Sequence, residues 1–249
     1  MTQRWKITVE YDGRAFSGWQ KQPHHVSVQG AIETALLSLT GQKIGITVAG
    51  RTDAGVHGRG QVAHFDMDKV MTPERLRLAI NALVRPHPIV AVKVEQVAPD
   101  FHARFQADAR TYQYRIINRR TPLTFDKGLA WQVHHPLDVE AMQKASRCLL
   151  GKHDFTSFRA MGCQAKHPIR SINSFDFEQR GDEILITINA KSFLYHQVRN
   201  MVGTLVKIGI GDWSWEKMQE ILEAKDRTIA GITAPADGLY FMSVTYPNG

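Results

Sequence analysis

The 249-residue chain has only two cysteines, Cys148 and Cys163, and they form no CxxC pair. That excludes a disulfide framework and a zinc ribbon and fits a reducing compartment. No stretch approaches the roughly 18 consecutive apolar residues of a membrane span. The opening MTQRWKITVEYDG runs straight into an alternating pattern, without the apolar region of a secretory signal. A cytoplasmic protein with no membrane partner is expected. Also missing are the GxGxxG and P-loop phosphate cradles and the GxSxG nucleophile elbow. Asp53 has no acidic neighbour before Asp66, so a carboxylate pair for glycoside hydrolysis is absent there. His57 and His64, and the pairs His24-His25 and His134-His135, lack the spacing of a three- or four-ligand metal site. Neither a metal nor a small-molecule cofactor is expected.

Positive charge is in surplus. Lys and Arg number 31 against 24 Asp and Glu, a net charge of +7, which favours a polyanionic partner. With 43% hydrophobic and 22% charged residues the chain reads as globular, long enough for one large domain or two ordinary ones.

Periodicity predicts α+β organisation. Trp5–Tyr11 alternates as a strand, and Val28–Leu39 forms an amphipathic helix capped by Ser27 and stopped by Gly41. Lys43–Val48 and Gln61–Phe65 read as strands flanking the Asp53 loop. Thr72-Pro73-Glu74 starts a helix running to about Leu83, and Ile89–Val97 is a strand. Further on come a strand at Thr111–Ile117, a helix at Asp138–Leu150 ended by Gly151, and a hairpin of Ile169–Glu178 with Glu183–Asn189. A helix over Tyr195–Ile208 follows. Ser214 is expected to cap another to about Ala224, with Trp213 and Met218 as a staple, and Leu239–Tyr246 closes the chain as a strand. Each half has a helix ending in a Leu-x-Gly pattern, LSLTG and CLLGK. The least regular stretch is Pro99–Gln106, so two α+β units, 1–105 and 106–249, are expected to divide there.

The densest chemistry lies in AGRTDAGVHGRGQVAHF, Ala49–Phe65. One carboxylate, Asp53, sits among Arg51, His57 and Arg59, with Gly50, Gly55, Gly58 and Gly60 nearby. Those glycines permit positive φ and close approach of another molecule. An Asp here either hydrogen-bonds its own turn or performs chemistry, and composition alone does not decide between the two. Elsewhere ARTYQYRI puts Tyr112 and Tyr114 on one strand face beside Arg110, where a nucleobase can stack unless the rings are core. In SFLYHQVRN, Arg199 lies on a largely apolar helix and needs a carboxylate partner if buried.

These segments, with EYDGRAFSGWQKQ, FHARFQADARTYQYRI, GKHDFTSFR, FLYHQVRNMVGTL and ADGLYFMSV, closely resemble the tRNA pseudouridine synthase A family from about Trp5 to Tyr246. The resemblance implies isomerisation of uridine in the tRNA anticodon stem-loop at positions 38 to 40, without a cofactor, by a homodimer. It implies an α+β fold of two similar halves, with mainly antiparallel sheets meeting at a central cleft and helices on the outer face. By position it makes Asp53 catalytic, Tyr112 the base-stacking ring, Arg199 the partner of the carboxylate and Arg51 the residue that helps extrude the nucleotide.

The chemistry agrees with that carry-over. A carboxylate can attack the sugar or C6 of the base, or stabilise charge on the sugar, while Arg199 holds it and Tyr112 stacks on the detached uracil. The target base must be flipped out of the stack, and Arg51 and His57 are placed to fill the gap and meet phosphates. Candidate phosphate contacts are Arg14, Lys21, Arg59, Arg110, Arg119, Arg120 and Lys191. The rivals are a non-catalytic RNA-binding module, which leaves Asp53 without a purpose, and a nucleoside hydrolase, which would release uracil.

Overall fold

A computed structural model describes residues 2–247. The chain divides into two compact units, Met1–Arg110 with Tyr240–Gly249, and Thr111–Leu239. The first carries β1 (Gln3–Tyr11), α1 (Val28–Thr40), β2 (Thr47–Val48), β3 (His57–Met67), α2 (Pro73–Leu83) and β4 (Ile89–Val97). The second is built from β5 (Ala109–Asn118), β6 (Trp131–Val133), α3 (Val139–Ser146), β7 (Gly151–Asp154), β8 (Ile169–Arg180), β9 (Glu183–Ala190), α4 (Gln197–Gly209) and α5 (Lys217–Ala224). The last strand, β10 (Leu239–Thr245), belongs almost wholly to the first unit. Both units are α+β with mainly antiparallel strands, as the sequence pattern predicts.

In the first unit the strand order is β4-β1-β3-β10, with β2 also on β3. β1 pairs antiparallel with β3 through Trp5–Phe65 and Ile7–Ala63. Those side chains face one way by the two-residue period and pack with Ile32 and Leu36 of α1 and Leu76 and Ile80 of α2. Val62 faces the other way, into a smaller cluster with Ala49 and Ala103. Helix ends follow their local signals. Ser27 accepts from Gly30 N, Gly41 is left-handed, and Thr72 accepts from Arg75 N.

β3 begins at His57, four residues before the expected Gln61, and β2 is only two residues long. The extension has a long-range cause: β10 pairs in parallel with the start of β3, Tyr240 opposite His57 and Phe241 opposite Gly58. No local pattern carries that partner.

In the second unit the order is β5-β9-β8-β7, with β6 parallel to β5. β8 and β9 form the expected hairpin, Arg180 opposite Glu183, turning through a left-handed Gly181. The expected helix over Asp138–Leu150 is shorter. It tightens at Arg147–Leu149 into a 3-10 turn, and left-handed Gly151 then redirects the chain into β7. α4 starts at Gln197, after a left-handed His196, and is buried almost all round, as suits a helix inside a core. α5 starts only at Lys217. Ser214 serves it through its carbonyl, which accepts from Lys217 N, and Glu216 at the N-cap makes no side-chain bond.

Candidate active site

The loop from β2 to β3 holds the half-buried Asp53. Its carbonyl accepts from Val56 N at 3.2 Å, closing a tight turn whose third residue, Gly55, has φ of 80°. A residue with a Cβ is strained there, so the glycine is a requirement of the turn. The remaining loop glycines serve another purpose than expected. A Cβ on Gly58 would meet the Tyr11 ring at 2.4 Å, one on Gly60 the Met242 carbonyl at 2.3 Å, and one on Gly50 the Phe241 ring at 3.2 Å. The protein's own strands occupy the approach that the sequence suggested for an outside molecule.

The loop is tethered from several sides. Trp19 N donates to Thr52 O at 3.0 Å, and Gln61 Nε2 donates to Gly50 O at 2.7 Å. The buried hydroxyls of Tyr11 and Thr52 share a hydrogen bond of 2.8 Å, immediately before Asp53. Burial pushes the Tyr11 hydroxyl up to about 12, against the opposing bonds from Thr52 and Gln61, so it stays protonated. Gly13 lies so close beneath the turn that a Cβ there would sit 2.2 Å from the Val56 carbonyl. The segment EYDGRAFSGW is therefore a wall behind the Asp53 loop. From the sequence the segment offers a strand end and Arg14 as a candidate phosphate contact, but no support for the Asp53 loop.

The basic residues around Asp53 separate into two kinds. Arg51 and Arg59 are exposed, and the Arg59 guanidinium lies 5.8 Å from the Tyr240 ring centre. His57, in contrast, is 2% exposed and stacked on Tyr240 at 4.6 Å. Its Nδ1 accepts from Gly13 N at 3.1 Å, which fixes the proton of a neutral ring on Nε2. The Asp12 carboxylate lies 3.3 Å from the same Nδ1. Arg110 is 8% exposed and donates through Nη2 to Ala49 O at 2.8 Å and Arg104 O at 2.7 Å. Both side chains brace the loop from within.

In the second unit Tyr112 is half-buried on β5, with Phe193 edge-on at 5.2 Å. Tyr114, two residues on, is core: its hydroxyl donates to Pro235 O at 2.7 Å, and burial raises its pKa well above the usual value. Tyr112 is thus the less buried of the pair. Arg199, in the first turn of α4, donates through Nε to Ala234 O at 2.7 Å, and its own carbonyl accepts from Ala234 N at 3.1 Å. That reciprocal pair fixes the guanidinium plane. Lys191 is exposed in the connection from β9 to α4. Arg119 is held by Asp182 at 3.0 Å, and Arg14 by Asp12.

In the first unit a rigid turn presents one carboxylate, a group able to act as a nucleophile; the second unit, by itself, holds a half-buried ring on β5 and an anchored guanidinium on α4. Known proteins assign the chain to a class. The sequence model described as tRNA pseudouridine synthase matches residues 7–106 and 145–247. The tRNA pseudouridine synthase A of Rhizorhabdus wittichii is 52% identical over 244 residues, covering 98% of this chain and 96% of that protein. Its counterpart from Zymomonas mobilis is 50% identical over 243 residues, covering 98% and 99%. The chain belongs to the tRNA pseudouridine synthase family and is an isomerase. Among the described residues no helix is long and apolar enough to cross a membrane.

Proposed function

We propose that the protein converts uridine to pseudouridine in the anticodon stem-loop of tRNA, at positions 38, 39 and 40, as a cytoplasmic homodimer needing no cofactor. Asp53 is the reacting carboxylate, Arg199 its cationic partner and Tyr112 the ring that holds the uracil. The observation that carries this reading is the Asp53 loop: one carboxylate on a turn whose backbone is tied down by Trp19, Gln61 and the Tyr11–Thr52 pair. A turn made only for chain reversal needs no such backing, whereas a catalytic group gains from being fixed before the substrate arrives.

In this reaction the bond from ribose C1′ to N1 of uracil breaks. The base turns while it is held, C1′ joins C5, and the C5 hydrogen leaves as a proton while N1 gains one. The sum is redox-neutral and nothing is transferred to a second substrate. Asp53 acts at C1′ or at C6 of the base, and either route requires the charged carboxylate. Arg199 aims it by a charge-assisted bond. Exposed Arg51, Arg59 and Lys191 meet phosphates of the RNA, while His57 and Arg110 support the loop from the interior.

The test is Asp53→Asn with tRNA tritiated at C5 of uridine. Tritium release falls to background while tRNA affinity stays within about threefold of wild type. Undiminished release refutes the catalytic assignment. Absence of release from the wild type itself leaves an RNA-binding module, and free uracil in the product a hydrolase.

A further inference from the structure

The stretch that the sequence marks as least regular is densely hydrogen-bonded. Every backbone N–H from Phe101 to Gln106 has an acceptor. Phe101 N donates to Ala98 O, His102 N to Gln106 Oε1 and Gln106 N to His102 O. Ala103 N donates to His64 Nδ1, while Arg104 N and Phe105 N share His102 Nδ1, each of these three at 3.2 Å. The carbonyls are held as well. Arg4 donates to Phe101 O, Tyr246 to Ala103 O, and Arg110 to Arg104 O. At the tip of this rigid knuckle, Phe105 is 75% exposed. The His102 ring lies against it at 4.3 Å, tilted by 33°, and the exposed Arg104 guanidinium is 5.7 Å from its centre.

We propose that this knuckle is a stacking platform for an unpaired nucleobase of the tRNA, adjacent to the uridine being isomerised. This rests on the tRNA reading above and adds a binding site to it. An exposed aromatic on a loose loop asks for no explanation, but a loop fixed at every N–H to hold a phenylalanine in water does. A ring with a guanidinium beside it and another ring supporting its back is the surface that stacks with bases, with little sequence preference. Charge selects the occupant: the partner must tolerate Arg104 on a chain of net charge +7, which suits RNA. A base inside a duplex has both faces covered, so the occupant is unpaired or flipped out. The position fits as well, because one Arg110 guanidinium donates to Arg104 O in the knuckle and to Ala49 O at the base of the Asp53 loop.

The test compares the full-length wild type with Phe105→Ala, Phe105→Trp and Arg104→Ala, using an unmodified tRNA transcript at fixed salt. Stacking of this type is worth about 5- to 150-fold in affinity. Phe105→Ala therefore weakens Kd by about tenfold, with an unchanged melting temperature because the ring is exposed, and Phe105→Trp restores it to within about threefold. A transcript carrying 4-thiouridine cross-links on irradiation to the peptide containing Phe105. Wild-type affinity in Phe105→Ala, or absence of that cross-link, overturns the platform. Loss of self-association with tRNA affinity intact overturns it in favour of a second copy of the chain as the occupant. Failure of the wild type to make pseudouridine sinks the functional reading alone, because the affinity and cross-link readouts do not depend on turnover.

Discussion

The hydroxyl pair of Tyr11 and Thr52 offers a direct measurement of what the wall behind Asp53 contributes. Tyr11→Phe removes one oxygen and little else, because the ring is already held among Phe16, Trp19 and Thr52 and is 3% exposed. It leaves the buried Thr52 hydroxyl short of a partner, which costs about 1–3 kcal/mol of folding stability. Thr52→Val does the same from the other side. The double variant replaces both groups with apolar ones, so its loss falls short of the sum by about 1 kcal/mol, the coupling of the pair. Catalysis reads the same contact differently. With Asp53 as the reacting carboxylate, as proposed above, a loop lacking its tether positions that group less well, and displacements of about 1 Å cost up to about 100-fold in rate. One tether of several implies a kcat loss of about tenfold, or about 1.4 kcal/mol in the barrier, with KM unchanged. Urea denaturation gives the stability terms, and tritium release at saturating tRNA gives kcat. Since burial keeps the Tyr11 hydroxyl protonated up to about pH 12, the ratio of wild-type to variant kcat stays flat from pH 6 to 9. Full stability loss with unchanged kcat would show that the pair is ordinary core. A ratio that climbs with pH would show a phenolate in the chemistry. Additive single losses would show that the two groups are not coupled.

Two further outcomes test the packing on which both units depend. Burial, reinforced by His102 and Arg4, depresses His64 from 6.5 to about 4, with Asp66 pulling the other way. Between those values the unfolded chain takes up a proton that the folded form refuses, so stability is complete above pH 6.5 and falls by about 1–2 kcal/mol as pH drops towards 4. In His64→Asn, whose side-chain oxygen can still accept from Ala103 N, the slope from this residue vanishes; an unchanged difference between pH 7 and pH 5 by denaturation rules the linkage out. In α4, a Cβ on Gly203 would lie 1.8 Å from the Ile232 carbonyl. Gly203→Ala therefore costs about 2–3 kcal/mol in urea, because backbone must move to admit it, and a loss under about 0.5 kcal/mol contradicts the close approach.

What was legible in the sequence was what neighbouring residues decide among themselves. Ser27 with Gly41, and Thr72 with Pro73, bound their helices because capping satisfies orphan backbone groups within a turn. The β8–β9 hairpin was legible because its two strands meet across a short turn. The turn at Asp53 was legible too, since Gly55 supplies the positive φ that it needs. Where the partner is remote in sequence, pattern failed. β3 is longer than its alternation suggests because β10, from the far end of the chain, pairs with His57 and Gly58. Tyr114 joins the core while Tyr112 stays half-buried, although both lie on one strand face: Tyr114 meets the remote Pro235 carbonyl and the bare backbone of Gly238.

The same limit applies to the positive charges near Asp53, whose burial the sequence does not show. His57 and Arg59 are two apart on β3 and share a strand face by the alternation rule, yet one is interior and the other exposed. Tyr240 decides this by covering the imidazole while its ring lies beneath the Arg59 guanidinium. Arg110 belongs with His57. Its guanidinium, under two loops, donates to the carbonyls of Ala49 and Arg104. Its charge still reaches the loops above it through a poorly screening interior, which favours anions near the Asp53 turn. Sequence proximity counts charges. Only packing separates those exposed to solvent from those that hold the backbone beneath them.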